Sequence, residues 1–195
     1  MLNFFRQLLG GSGPGVEVHE VRGFRVDVEN SRPDIATADV LQRLDEALAL
    51  VDAHQPWRSA HLRRDVAQIR VARFACRGAF FPDDRTCLTE LTFLARRDIT
   101  AAPVASSIVH EGMHARAHAF RARFGSPPDP DDLPREERLC RRAELAFGRS
   151  LPESLGAPVI ERALATLTMD DADVAPSVDW REAARRIDAV DRDAR

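Results

Sequence analysis

The sequence predicts an α+β protein, in which a small, mostly antiparallel sheet is followed by a long helix and a helical C-terminal part. Apolar and polar residues alternate over 16–29 and again over 66–94, as they do in half-buried strands. Apolar residues recur at helical spacing over 34–53. Beyond residue 100 the apolar pattern is helical and is interrupted by short stretches rich in proline, glycine and aspartate. The strands are therefore expected in the first half of the chain.

The composition is that of a globular protein, with 195 residues of which 44% are hydrophobic and 30% are charged. A chain of this length can bury one sizeable core. We expect a short apolar segment with a glycine-rich hinge over 1–15, the main domain over 16–169, and an acidic break with an amphipathic helix over 170–195. The net charge of −3 gives no electrostatic reason to expect a nucleic acid partner.

The cysteines and the N-terminus bear on the compartment. Cys76, Cys87 and Cys140 form neither a C-x-x-C pair nor an even disulfide framework. This pattern favours a reducing environment, and we expect a cytoplasmic protein. Residues 1–9 are apolar but too short to span a bilayer, and they lack the features of a signal peptide. We therefore predict no transmembrane segment, and at most weak docking of residues 1–9 on a membrane or partner.

The first half of the chain carries the predicted strands. Residues 16–29, with a glycine between two alternating runs, form either one bulged strand or two short strands. A helix over 34–53 follows and ends before Pro56. The next segment, 66–94, is predicted to be a β-hairpin because residues 78–86 carry turn chemistry between two apolar runs.

Four helices are predicted in the second half. The first begins between Thr100 and Pro103, since proline suits the first turn of a helix, and it stops before Gly125. The last is amphipathic. The three helices after the first cover about 133–150, 158–169 and 177–195.

The first of these helices carries the motif around which the rest of the chain is arranged, His110-Glu111-Gly112-Met113-His114. Residues four apart lie on one face of a helix, about 6 Å apart along its axis. Two imidazoles placed in this way lean onto one metal ion. Glu111 lies to the side of His110, where its carboxylate is available to hold water rather than the metal.

Through this H-E-x-x-H pattern the chain resembles the zincin superfamily of zinc metallopeptidases. The resemblance extends to the order of elements, in which a sheet comes directly before the metal-binding helix. It implies a zincin-like fold, a bound Zn²⁺ and a peptide or protein substrate held along an edge strand near 86–94. It also implies that Glu111 is the catalytic general base.

A catalytic zinc needs three protein ligands and one open position. The metzincin subtype has a glycine and a histidine after the second ligand, but this chain has Ala117 and Phe120 at those positions. His118 lies about 12 Å along the helix from His110, too far for one tetrahedral ion to bind both. The third ligand is therefore expected on another element.

The chain resembles the gluzincin branch more closely, in which the third ligand is a glutamate of the next helix. Glu137 and Glu144 share one face of that helix with Cys140. Free cysteines are usually buried, and a carboxylate buried on the same face needs a partner such as a metal ion. Glu137 is the preferred ligand, with Glu144 and then Glu136 as alternatives. Position 141 is Arg where the family has a further carboxylate.

The sequence thus predicts a zinc-dependent hydrolase, in first place a metallopeptidase, with His110, His114 and Glu137 as ligands and Glu111 as base. Gluzincins often stabilise the oxyanion with a tyrosine or a histidine; this chain has no tyrosine, and its sequence does not select among its histidines and arginines for this role. A zincin-like metal-binding protein without peptidase activity is the first alternative. An interaction module in which the motif is accidental is the second.

Overall fold

The structure of the protein, a computed structural model, describes residues 15–125, 132–174 and 179–193. The predicted docking segment 1–9 lies outside these ranges. Within them the strands are β1 (Val16–Val21), β2 (Phe24–Glu29), β3 (Gln68–Ala72), β4 (Gly78–Phe81) and β5 (Thr86–Glu90). The helices are α1 (Thr37–His54), α2 (Pro56–Asp65), α3 (Leu91–Leu94), α4 (Ala102–Phe124), α5 (Leu133–Ser150), α6 (Glu153–Leu167), α7 (Asp171–Val174) and α8 (Trp180–Asp193). The α+β class is confirmed.

The strands form one mixed sheet in the order β1-β2-β3-β5-β4. β1 and β2 pair antiparallel, as do β4 and β5, whereas β3 is parallel to both of its neighbours. The prediction of a mostly antiparallel sheet is therefore wrong. The chain runs from β2 to β3 through α1 and α2. A helical crossover of this kind places β3 parallel to β2.

The hairpin predicted over 66–94 has the wrong pairing. After β3 the chain runs to the edge of the sheet as β4 and then returns as β5, which lies between β3 and β4. The return passes through Arg85, whose φ of 53° allows a tight turn. The edge strand is therefore Gly78–Phe81 and not the segment near 86–94. Every residue of β5 is buried, and residues 91–94 form the short helix α3.

Most of the remaining elements lie where the sequence predicts them. Residues 16–29 form two strands, and α1, α4 and α5 occupy the predicted places. α2 was not predicted, because Pro56 reads as the end of a helix although it occupies the first turn of the next one. α6 begins at Glu153, ahead of its predicted start, with Pro158 inside it. No helix in the described ranges is long and apolar enough to cross a membrane.

The core lies between the sheet and the helices, and it fixes the orientation of α4 and α5. Val26 and Val71 of the sheet, Leu44 of α1, Ile108 of α4 and Phe147 of α5 are each at most 1% exposed. α4 contacts α2 on one side, α5 on another, and β4 and β5 at the edge of the sheet. One face of α4 is consequently directed towards α5 and the edge strand.

Helices α5 and α6 approach each other closely through two glycines. A Cβ on Gly156 would lie 2.2 Å from the carbonyl oxygen of Gly148. Because a backbone atom cannot yield without a shift of α5, we expect Gly156→Ala to lower the free energy of unfolding by about 2–3 kcal/mol. Helix propensity alone would predict that this exchange raises the free energy of unfolding. Urea unfolding measures the effect, and a stabilised variant would contradict this packing argument.

The matched control is Ala157→Gly at the exposed neighbouring position of the same helix. There the exchange removes a methyl group that contacts little, and its cost should be the propensity difference alone, about 1 kcal/mol.

Candidate metal centre

His110 and His114 project from the face of α4 that is directed towards α5. Their Nε2 atoms are 3.2 Å apart, and their side chains are 8% and 16% exposed. The spacing of four residues therefore brings the two imidazoles together, as the motif predicts.

Glu137 of α5 faces both imidazoles. Its Oε2 lies 3.2 Å from Nε2 of His110, and its Oε1 lies 3.1 Å from Nε2 of His114. Two donor atoms that bind one zinc ion at 2.0–2.1 Å with tetrahedral angles are about 3.3 Å apart. Each of these distances is close to that separation, and a different oxygen of Glu137 faces each imidazole. Two imidazoles and a carboxylate are a donor set that zinc binds, so the residues fit the metal.

The outer nitrogen of each imidazole is held by another carboxylate of α5. Nδ1 of His110 donates to Glu144 at 2.6 Å, and Nδ1 of His114 donates to Glu136 at 2.7 Å. A proton fixed on Nδ1 leaves the lone pair on Nε2, which is the tautomer that a metal requires. The two alternative third ligands of the sequence analysis thus contact the outer side of the histidines instead.

These outer carboxylates are anchored in turn by residues that the sequence analysis did not assign to the site. Arg141 donates to Glu144 at 2.6 Å, and Ser106 donates to the other oxygen of Glu144 at 3.1 Å. Arg121 donates to Glu136. The arginine that stands in place of the family's further carboxylate therefore orients a carboxylate one helical turn away. The spacing of Arg141 and Glu144, three residues apart on one helix, was the available signal.

The charges of the centre favour protonated imidazoles while it holds no metal. Burial lowers the pKa of His110, but the carboxylates of Glu137 and Glu144 outweigh it and raise that pKa to about 10. Burial raises the pKa of Glu136, whereas hydrogen bonds from His114 and Arg121 bring it down to about 2. A metal ion that binds both Nε2 atoms must therefore displace protons.

Glu111 lies beside the imidazoles and lines the same cleft. It is 7% exposed, and burial raises the pKa of its carboxyl group. No side chain in the described part of the chain hydrogen-bonds to this carboxyl group. A Cβ on Gly78 would lie 3.0 Å from its Oε1 and 2.9 Å from Oγ of Ser107. Glycine at the start of β4 therefore lets the edge strand approach Glu111 closely.

A cleft of about 1310 Å³ opens over the centre. β4, α4, α5 and the first half of α6 contribute to its walls, and Phe80, Phe93 and Val159 give it apolar surface. His118 also lines the cleft, where its ring lies 6.0 Å from that of Phe80, centroid to centroid. The centre is thus accessible to a molecule much larger than water.

Cys140 is a further potential donor. It is fully buried on α5, and its sulfur lies within 4.8 Å of a ring nitrogen of both His110 and His114. Its spacing of three residues from Glu137 puts it on the same helix face, and the structure brings that face against the histidines.

Comparisons of the chain with models of protein families, with curated proteins and with solved structures returned no match. Membership of the zincin superfamily therefore stays a prediction.

Proposed function

We propose that the protein is a zinc-dependent hydrolase of zincin type, a metallopeptidase with His110, His114 and Glu137 as metal ligands and Glu111 as general base. One observation carries the proposal. The two Nε2 atoms and the Glu137 carboxylate lie 3.1 and 3.2 Å from one another, and both imidazoles are oriented from behind by carboxylates. This is the arrangement that metal-binding histidines commonly have.

The residues of the chain have separate roles in this reaction. Bound zinc would supply a Lewis acid that polarises a carbonyl group and makes water more acidic. The carboxylate of Glu111 accepts a proton from water in the cleft and passes it to the leaving amine. Burial raises the pKa of Glu111, which improves its strength as a base. Glu144 and Glu136 keep the imidazoles in place while the charge in the site changes.

The position of the edge strand supports an extended peptide as the substrate. Within the described residues β4 pairs with β5 on one side only, so its other edge has backbone groups that can bind a further strand. Extended peptides bind to such edges by β-augmentation. Because β4 begins at Gly78, next to Glu111, a peptide on this edge passes the general base.

Cys140 favours a second candidate function, in which the protein binds a metal ion but has no peptidase activity. A thiolate added to His110, His114 and Glu137 would give four protein ligands. Zinc sites with four protein ligands are structural, because no position is left for water.

Zinc content and peptide hydrolysis test the two functions together. We expect the full chain to bind about one zinc ion, to lose hydrolysis of a peptide library under chelation and to regain it when zinc is added. The zinc affinity should fall as the pH is lowered, because both imidazoles must be neutral to bind.

Substitution with cobalt distinguishes the candidates, since a thiolate ligand adds a charge-transfer band to the absorption spectrum. Hydrolysis without this band supports the peptidase. The band without hydrolysis supports the second function. A purified chain that takes up no stoichiometric metal would contradict both.

A further inference from the structure

The cleft contains an arginine that the metal centre does not use. Arg77 directly precedes β4 and lines the cleft, with its guanidinium 4.9 Å from the centroid of the Phe93 ring. It forms no ion pair with any residue of the described ranges. Four other arginines line the cleft, and three of them have carboxylate partners: Arg96 with Asp98, Arg121 with Glu136, and Arg141 with Glu144.

The surroundings of Arg77 leave its hydrogen-bonding groups available. A guanidinium above an aromatic ring uses its flat face, while its N–H groups lie in the plane and point outward. Five such donors in a fixed fork match the two oxygens of a carboxylate. Burial lowers the pKa of Arg77, and the positive charges of Arg96 and Arg141 act in the same direction against the opposing effect of Glu144. An additional anion would therefore be stabilised here.

Arg77 is also close to the proposed chemistry along the chain. Its neighbour Gly78 is the residue whose Cβ would contact Glu111 and Ser107. Adjacent Cα atoms are about 3.8 Å apart, so the Cα atom of Arg77 lies about that far from the Cα atom of the glycine that adjoins Glu111. A molecule that lies along the outer edge of β4 would pass both residues.

We propose that Arg77 binds a carboxylate of the substrate, so that the cleft prefers peptides with an acidic side chain or a free C-terminus near the bond that is cleaved. The inference rests on the proposed hydrolase function. Arg77 is assigned to substrate binding, and the metal and the proton transfers remain with the residues described above.

Peptide binding to Glu111→Gln tests the inference without hydrolysis. Fluorescent hexapeptides with an amidated C-terminus carry Asp at each position in turn, and a matched set carries Asn. A third set has uncharged side chains and a free C-terminal carboxylate. Fluorescence anisotropy of the zinc-loaded chain gives the affinities. We expect the best carboxylate-bearing peptide to bind about tenfold more tightly than its neutral counterpart.

Replacement of Arg77 should remove this preference. Arg77→Gln in the same background is expected to reduce it to less than about twofold while the neutral peptides bind as before, and Arg77→Lys should retain part of it. Arg97→Gln is the matched control, because Arg97 is 92% exposed and is not among the residues that line the cleft. It should leave the preference unchanged.

The outcomes separate the inference from the function on which it rests. An Arg77-dependent preference for Asp identifies an acidic side chain as the ligand, and one for the free C-terminus identifies the terminal carboxylate. A preference that is absent, or that survives Arg77→Gln, overturns the inference. If the preference depends on Arg77 but the chain with Glu111 intact cleaves none of the peptides, the hydrolase proposal fails and the carboxylate site stands.

Discussion

Glu111→Gln is expected to lower kcat for peptide hydrolysis by about 10²–10⁴-fold, the usual contribution of a general base, with zinc content unchanged. An amide of the same shape cannot accept the proton that the carboxylate takes from water. Glu111 lies next to Gly78, and the hydrogen bonds and ion pairs of the two imidazoles go to other carboxylates of the site, so the exchange should leave the metal ligands in place. Steady-state kinetics and metal analysis on the same preparation give both quantities.

The control for this prediction is Asp83→Asn. Asp83 is an exposed carboxylate at the rim of the same cleft, and its loss should leave kcat nearly unchanged. If Glu111→Gln also lost its zinc, the separation of base and ligands would be wrong. If the wild type and Glu111→Gln were equally inactive towards the library, the metal-binding function without peptidase activity would be favoured.

The elements that bear the site were accessible from the sequence because their signals are local. Two histidines four apart define one face of α4 without knowledge of anything else in the fold. α5 has the predicted bounds, Leu133–Ser150, since a proline-rich connector precedes it and a Leu-Pro step follows it. Each of these signals depends on residues within one or two helical turns.

Strand pairing has no such local signal. β3 and β5 are five residues each, and their alternation is the same whichever strand lies beside them. Which strands lie on either side of β5, and in which direction each of them pairs with it, depends on the path of the chain between the strands. The sequence therefore predicted β1, β2, β3 and β5 near their observed places, but it interpreted β4 as part of a turn and assigned the edge of the sheet to the wrong segment.

The choice among the glutamates of α5 could not be made from the sequence for a related reason. Glu137 and Glu144 share a helix face, so the periodicity leaves both as candidates. The rotation and translation of α5 against α4 decide which carboxylate meets the Nε2 atoms. That placement depends on long-range packing, including Phe147 in the core and the close approach of Gly148 to Gly156.

Glu137→Ala should therefore reduce zinc affinity more than the loss of either outer carboxylate. Glu144→Gln and Glu136→Gln remove partners of Nδ1 and are expected to cost about 10–100-fold in affinity, whereas Glu137→Ala removes a donor atom and should exceed that range. Glu137 is also the leading carboxylate among those that raise the pKa of His110 against the effect of burial. Without Glu137 the pKa of His110 is lower, so protons compete less with the metal. This effect partly offsets the expected loss of zinc affinity.

Competition with a chromophoric chelator at one fixed pH measures these affinities, and the same measurement at a second pH shows how much of each change comes from the protons that the metal displaces. Circular dichroism of each metal-free variant checks that α4 and α5 are still folded. If Glu144→Gln cost more affinity than Glu137→Ala, Glu144 would be the ligand and the roles of the two carboxylates would be exchanged. If Glu137→Ala retained nearly full affinity and lost it only on combination with Cys140→Ala, the thiolate would be the third ligand and the assignment of Glu137 would be wrong.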